Sequence, residues 1–236
     1  NDEINIKKTI KSIINQTFKD FEYIIIDGKS SDTTLNKILH FKKKINTIIS
    51  EKDRGIYFAM NKGAKISNGK VILFVNSGDL LTKNVLKIIR KKFNTHKGID
   101  FVFGTVKRHY TTGMIYKHGI NFKKLSYNFD FATCHSTGFF VRRLKFKDIG
   151  YFNTKYKCSA DYDVYYKLII KNKLNGLSTN KNEIIGEVSA GGFSSKLSFL
   201  EHLKEEIIIR IDNGQNKLIV LLILINALLK NFIKIN

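Results

Sequence analysis

The 236-residue sequence contains no proline, no tryptophan, two cysteines and two methionines. Two cysteines, Cys134 and Cys158, exclude a disulfide scaffold and point to a reducing compartment. The six histidines show no metal-ligand spacing, so a zinc module is excluded. Neither a Gly-x-Ser-x-Gly elbow nor a phosphate loop of the Gly-x-x-x-x-Gly-Lys-Ser/Thr type is present, which sets aside serine-elbow hydrolases and phosphate-loop NTPases. The polar opening, Asn1 to Lys8, does not read as a signal peptide. Acidic residues are few, 20 Asp plus Glu against 41 Lys plus Arg, for a net charge of +21. Missing proline together with abundant Ile, Lys and Asn looks like a nucleotide-composition bias, so part of this charge is drift. The rest still attracts polyanions such as phosphorylated ligands or an anionic membrane. No zinc-ligand spacing, basic-zipper heptad or RNA-binding aromatic signature accompanies it, and no nucleic-acid partner is expected.

What is present is enough apolar material, 43% of residues, for a sizeable core. Ile6, Ile10, Ile13 and Ile14 repeat at helical spacing. Strands are expected at Tyr23–Ile26, Ile45–Ile49, Val71–Val75 and Phe101–Phe103. The intervening helices carry Leu35, Ile38 and Leu39, then Ile56, Ala59, Met60 and Ala64, then Val85, Ile88, Ile89 and Phe93. Ser31 or Asp32 is placed to cap the first of these three. This alternation predicts an α/β fold with a mostly parallel central sheet flanked by helices. Asp27, Asp53 and Asp79 each follow a strand run, and the corresponding edge of an open parallel sheet is where ligands bind.

Beyond residue 105 the alternation weakens. A hairpin is expected over Val106–Lys117 around Thr111-Thr112-Gly113, and strands at Gly138–Arg142 and Ile184–Val188. Helices are expected at Asp161–Ile170 and Leu200–Ile211, with a flexible loop at Gly191-Gly192. The run Leu218–Leu229, apolar except for Asn226, is too short to span a bilayer, which needs about 20 residues. Followed by Lys230 and Lys234, it suits a helix packed on the domain or one lying on an anionic membrane surface.

From chemistry alone, Asp79 in Asn76-Ser77-Gly78-Asp79 suits either an ordinary turn or a hard cation bridging phosphates. Asp161 in Ser159-Ala160-Asp161-Tyr162-Asp163 suits either a helix cap or a general base. His135 in Cys134-His135-Ser136-Thr137 suits a hydrogen-bonded structural role.

Three stretches taken together resemble the family 2 glycosyltransferases of the branch that builds colanic-acid-like, capsular and lipopolysaccharide glycans in bacteria. The first runs from Ser12-Ile13-Ile14-Asn15-Gln16-Thr17-Phe18 through Phe21-Glu22-Tyr23 to Asp27-Gly28-Lys29-Ser30-Ser31-Asp32-Thr33-Thr34. The second is Asp53-Arg54-Gly55-Ile56-Tyr57-Phe58-Ala59-Met60-Asn61-Lys62-Gly63 with Asn76-Ser77-Gly78-Asp79. The third is Cys134-His135-Ser136-Thr137 with Ala160-Asp161-Tyr162-Asp163. The likeness covers roughly residues 4 to 195.

The resemblance implies the GT-A fold and inverting transfer of a sugar from a nucleotide donor, UDP-linked by default, to a glycan or lipid-linked acceptor. It implies a catalytic domain over 1–195, with a donor half (1–105) and an acceptor half (106–195), and C-terminal helices over 196–236. It places Asp27, Asp53, Tyr57 and Asn61 at the donor nucleotide, Asp79 on a divalent metal (Mg²⁺ or Mn²⁺) and Asp161 as catalytic base. His135, Asp163 and Gly192 are assigned to the acceptor side or a lid, the lid spanning Gly191 to Ser195. The setting it implies is cytoplasmic, peripheral on the inner face of the plasma membrane. The alternatives are a non-catalytic relative binding a nucleotide sugar or a membrane, and a basic nucleic-acid-binding domain. Gly28, Asn76 and Ala160 stand where the family often has acids, and mark a subtype. In the family a strand precedes the helix at which this chain begins, and the sheet is expected to lack that central strand.

Overall fold

The computed structural model describes residues 1–110, 113–117, 135–191 and 198–235. The turn at Thr111-Thr112, Cys134, Gly192 and the rest of the expected lid to Ser195 lie outside the described residues. The chain opens with α1 (Ile6–Ile14), β1 (Ile24–Asp27), α2 (Thr34–Leu39), β2 (Thr47–Ser50), α3 (Ile56–Ile66), β3 (Val71–Leu73), β4 (Leu80–Leu81), α4 (Val85–Thr95) and β5 (Phe101–Phe103). Then come β6 (Thr105–Tyr110), β7 (Gly113–Lys117), β8 (Phe139–Arg142), α5 (Arg143–Asp148), α6 (Ala160–Tyr166), β9 (Gly176–Ser178), β10 (Ile184–Val188), α7 (Phe199–Asp212) and α8 (Lys217–Ile235). The expected helices and strands are therefore found, except that the one expected over Asp161–Ile170 is α6 continued by a π-helical turn at Lys167–Lys171.

The pairing is mixed rather than mostly parallel. β1 pairs with β2 in parallel in a two-stranded sheet. A second sheet has the order β3-β8-β5-β9, with β8 antiparallel to both β3 and β5 and β9 parallel to β5. A third has the order β4-β10-β6-β7, in which only β10 and β6 run parallel. The cause is β8. Its run Phe139-Phe140-Val141 is buried on both faces, as apolar as a parallel core strand, yet it enters between β3 and β5 from the opposite direction. Among the described residues β1 and β3 belong to separate sheets.

Three clusters of buried side chains hold these layers. The largest is aromatic: Phe74, Phe101, Phe103, Phe139, Phe146, Phe152 and Tyr165 meet at centroid distances near 5 Å, several edge to face. A second joins Val85, Ile89 and Phe93 of α4 to Val102, Val106, Phe140 and Ile185. The third is small: Ile6, Ile10, Ile38 and Ile45 pack α1 and α2 over β1 and β2.

Helix α1 also fixes the turn after β3. Thr9 Oγ1 accepts from the Gly78 N–H at 3.0 Å, and Ser12 Oγ accepts from the Leu81 N–H at 3.2 Å. The buried Gln16 amide donates to the Thr82 carbonyl at 2.8 Å and accepts from the Leu86 N–H at 3.2 Å. Gly78 has φ +94°, a left-handed conformation that favours glycine and lets the chain reverse there.

Candidate active site

Asp27 closes β1 with its carboxylate turned back onto its own turn. It accepts from the Ser30 hydroxyl at 2.5 Å, the Ser30 N–H at 3.0 Å and the Ser50 hydroxyl at 2.6 Å. Burial pushes its pKa up, but these donors outweigh burial and hold it below the ordinary carboxylate value. Asp53, beyond β2, accepts from the Gly55 N–H at 2.9 Å. A Cβ at residue 28 would sit 2.8 Å from Asp53 Oδ2, so Gly28 is what lets the Asp27 turn and Asp53 come together. The parallel pairing of β1 on β2 brings the Asp27 turn and Asp53 together.

Asp79 has a different set of partners. It is buried, accepts from Thr137 Oγ1 at 2.6 Å and the Ser189 N–H at 3.2 Å, and stands 3.4 Å from His135 Nδ1. Burial raises its pKa to about 6 against the pull of Thr137, Ser189 and the Arg108 guanidinium. Burial and Arg108 together lower His135 to about 4, so its imidazole is neutral at pH 7. Asn76 ties the same turn to Ser136 through a 3.2 Å hydrogen bond.

This cluster suits a divalent cation of one kind only. Among the described residues no group of three His, Cys, Asp or Glu side chains can hold a metal by protein ligands alone. A carboxylate whose charge is poorly met, beside a neutral imidazole, fits a hard cation that completes its shell with water and donor phosphates.

The third acid site is Asp161, in the first turn of α6. Its Oδ1 accepts from the Tyr162 N–H at 2.9 Å and lies 3.4 Å from the Tyr57 hydroxyl. Tyr57 donates more closely to the Cys158 carbonyl, at 2.9 Å. Burial raises Asp161 to about 6, with His202 and the hydrogen bonds pulling the other way. Tyr57 is raised well above its ordinary value, first by burial and then by Asp161. The structure thus brings Tyr57 to Asp161 rather than to Asp27 and Asp53.

Two other expected site residues are engaged in packing. The Asn61 amide donates to the Phe152 carbonyl at 2.8 Å and accepts from the Phe152 N–H at 3.0 Å, tying α3 to the loop before α6. Asp163 is fully buried, paired with Lys167 at 2.6 Å and accepting from Asn213 at 2.8 Å. Sequence reasoning singled out none of Ser50, Ser189, Arg108 and Glu205 as functional. Ser30 and Thr137 were in view, as parts of quoted motifs, without partners.

The described architecture is the GT-A fold, shared with solved glycosyltransferases. Staphylococcus aureus TarS 1–349 in complex with UDP superposes with a TM-score of 0.70 at 20% identity, over 95% of this chain and 68% of that one. A mannosyltransferase from Pyrobaculum calidifontis, in complex with GDP-Man and Mn²⁺, gives 0.66 at 15% identity over 91% and 64%. A family model described as "Glycosyl transferase family 2" matches residues 1–165. The chain belongs to that family. A PGL/p-HBAD biosynthesis glycosyltransferase of Mycobacterium bovis is 32% identical over 158 residues, 65% of this chain and 60% of its own length. The Escherichia coli UDP-Glc:alpha-D-GlcNAc-diphosphoundecaprenol beta-1,3-glucosyltransferase WfgD is 30% identical over 105 residues, 44% of this chain and 41% of its own. The chain therefore spans about three-fifths of the mycobacterial relative's length.

Proposed function

We propose that the protein transfers a sugar with inversion from a nucleoside-diphosphate donor, UDP-linked by default, to a glycan or lipid-linked acceptor in bacterial surface-polysaccharide synthesis. The observation that carries this reading is the distinct company each acid keeps. The Asp27 turn meets Asp53 at the ends of β1 and β2, Asp79 sits with His135, and a half-buried Asp161 lies against Tyr57 at the start of α6. Asp27 and Asp53 accept hydrogen bonds from the nucleoside. Asp161 removes the proton from the acceptor hydroxyl as its oxygen bonds to the anomeric carbon. The bond to the donor's β-phosphate oxygen breaks on the opposite face, and the nucleoside diphosphate leaves. Tyr57 holds the Asp161 carboxylate in place. Asp79 and His135 would hold a divalent cation, which supplies charge neutralisation for the leaving diphosphate. The names of the relatives, one of which takes a diphosphoundecaprenol-linked acceptor, support an acceptor at a membrane.

Helix α8 supports the same setting. Val220 and Ile223 are buried, while Leu218, Leu221, Leu222, Ile225 and Leu229, on the opposite face, are 45–65% exposed. The helix contains lysines and no acid. An outward apolar stripe on a basic helix suits the surface of an anionic bilayer. Among the described residues no helix is long and apolar enough to cross one.

Calorimetric titration of UDP and of GDP, with and without Mn²⁺, tests the donor site. Metal-dependent binding of one nucleotide, lost in Asp79→Ala, is the expected result; no binding of either overturns the reading. For α8, Leu222→Glu is expected to abolish co-sedimentation with phosphatidylglycerol vesicles while leaving nucleotide binding unchanged. Unaltered co-sedimentation would remove the membrane role.

A further inference from the structure

Helix α7 lies beyond the residues that the family model matches, yet it grips the turn that leads into α6. The grip is made by one carboxylate. Glu205 Oε1 accepts from the Lys157 N–H at 2.7 Å, and Oε2 accepts from the N–H groups of Cys158 and Ser159 at 3.0 and 2.9 Å. The Cys158 thiol adds a fourth donor, with Sγ 3.1 Å from Oε2. Burial opposes the charge on Glu205, but these donors outweigh it and hold its pKa below the ordinary value. It is a charged group at pH 7, tied to three consecutive residues.

The same turn is held from the other side. Tyr57 of α3 donates to the Cys158 carbonyl at 2.9 Å and reaches Asp161 Oδ1 at 3.4 Å. Residues 157–159 are thus clamped between an acceptor on α7 and a donor on α3. Asp161 follows two residues after the clamped turn. A turn with three consecutive amides fixed on one carboxylate has little freedom to rotate, so the carboxylate that follows keeps its place against Tyr57.

We propose that Glu205 is a positioning residue for the transfer reaction: by fixing the turn at 157–159 it holds the Asp161 carboxylate against Tyr57 and facing the acceptor hydroxyl. This rests on the reading of Asp161 as the base. The groups that act on Asp161 from the packed elements are Tyr57 on α3 and His202 on α7, beside the Tyr162 N–H of its own helix; Glu205 reaches it through the turn at 157–159. The proposal gives α7 a part in the chemistry that simple helix packing would not require.

The test needs a readout that follows Asp161 itself. The protein is labelled with ¹³C at the aspartate carboxyl carbons, and the Asp161 signal is assigned by its loss in Asp161→Asn. Wild type, Glu205→Gln and Glu205→Asp are titrated by NMR, with circular dichroism to confirm the fold and calorimetric UDP binding alongside. In wild type the signal is expected to titrate near 6. In Glu205→Gln, whose amide has one acceptor oxygen in place of two, the turn loosens and Asp161 reaches water. Its titration is expected to move down by at least about one pH unit toward the ordinary carboxylate value, with UDP binding within about twofold of wild type. Glu205→Asp keeps the charge on a shorter arm and is expected to fall between the two, so it carries the test if Glu205→Gln does not fold. An unmoved Asp161 titration in a folded variant overturns the proposal. So does a loss of UDP binding in a folded variant, because it would show a general disturbance. The base reading is tested separately, by UDP release from UDP-glucose with a short-chain GlcNAc-diphospholipid as acceptor. Full activity in Asp161→Asn would sink that reading without touching the titration result.

Discussion

Replacing Asp161 with Asn keeps the side chain's shape and removes its charge. The oxygen of Asn can still accept from the Tyr162 N–H, now at 2.9 Å, and from Tyr57 at 3.4 Å, so the hydrogen bonds survive the change. What disappears is an ionised group in a site that disfavours ionisation. Burial lifts the Asp161 pKa from 3.8 to about 6. For an acid raised in the folded state, the native protein binds more protons than the unfolded chain between those two values. Stability is therefore lost as pH rises through that window, and the full cost is present above it. At about 1.4 kcal/mol per pH unit, the cost at neutral pH is of the order of 3 kcal/mol. Asp161 keeps part of its surface open, so this is a ceiling, and about 1–3 kcal/mol is expected. A protein of this length gains roughly 2–4 °C in Tm per kcal/mol. Asp161→Asn is thus expected to melt several degrees above wild type near pH 7.5, with the advantage shrinking as pH falls below about 6. Sugar transfer should meanwhile drop by about 10²–10⁴-fold. Thermal denaturation at two pH values and a UDP-release assay read both effects. A variant that melts lower than wild type at neutral pH would refute the electrostatic argument, and one that keeps its activity would refute the catalytic one.

Other changes separate packing from chemistry. Asp163→Ala leaves Lys167 and Asn213 without their buried partner and is expected to cost about 3–5 kcal/mol in urea denaturation, far more than an acceptor-side or lid residue would. Gly28→Ala places a methyl group 2.8 Å from Asp53 Oδ2 and should displace that carboxylate. Calorimetry should then show UDP binding weakened by about tenfold, or roughly 1.4 kcal/mol, with little change in Tm.

The elements of residues 1–105 were legible in the sequence because their signals are local. Isoleucines at helical spacing marked α1, short apolar runs ending in Asp marked β1 and the strand ends, and the buried positions Val85, Ile89 and Phe93 of α4 fell on one face. Strand direction was not legible. The run Phe139-Phe140-Val141 looks the same whether it enters a sheet parallel or antiparallel, and only its pairing with β3 and β5 decides. Among the site residues, the acids could be read from motifs, but their partners could not. Asp79 meets Thr137 and Ser189 across 58 and 110 positions of chain, and Glu205 meets the 157–159 turn across 46 to 48. Asp163 sits beside Asp161 in the motif but points to the other side of α6, where Lys167, one turn on, is its natural partner.

The small isoleucine cluster of α1, α2, β1 and β2 has a dynamic consequence. The two-stranded sheet it covers has no fully buried isoleucine of its own, while the aromatic cluster behind β5 and β8 is closed on both faces. Local opening should therefore start at the β1–β2 end of the molecule, where the donor nucleotide is proposed to bind. Amide protons of β1 and β2 are expected to exchange with solvent well before those of β5 and β8, and the donor nucleotide would act as the ligand that slows them.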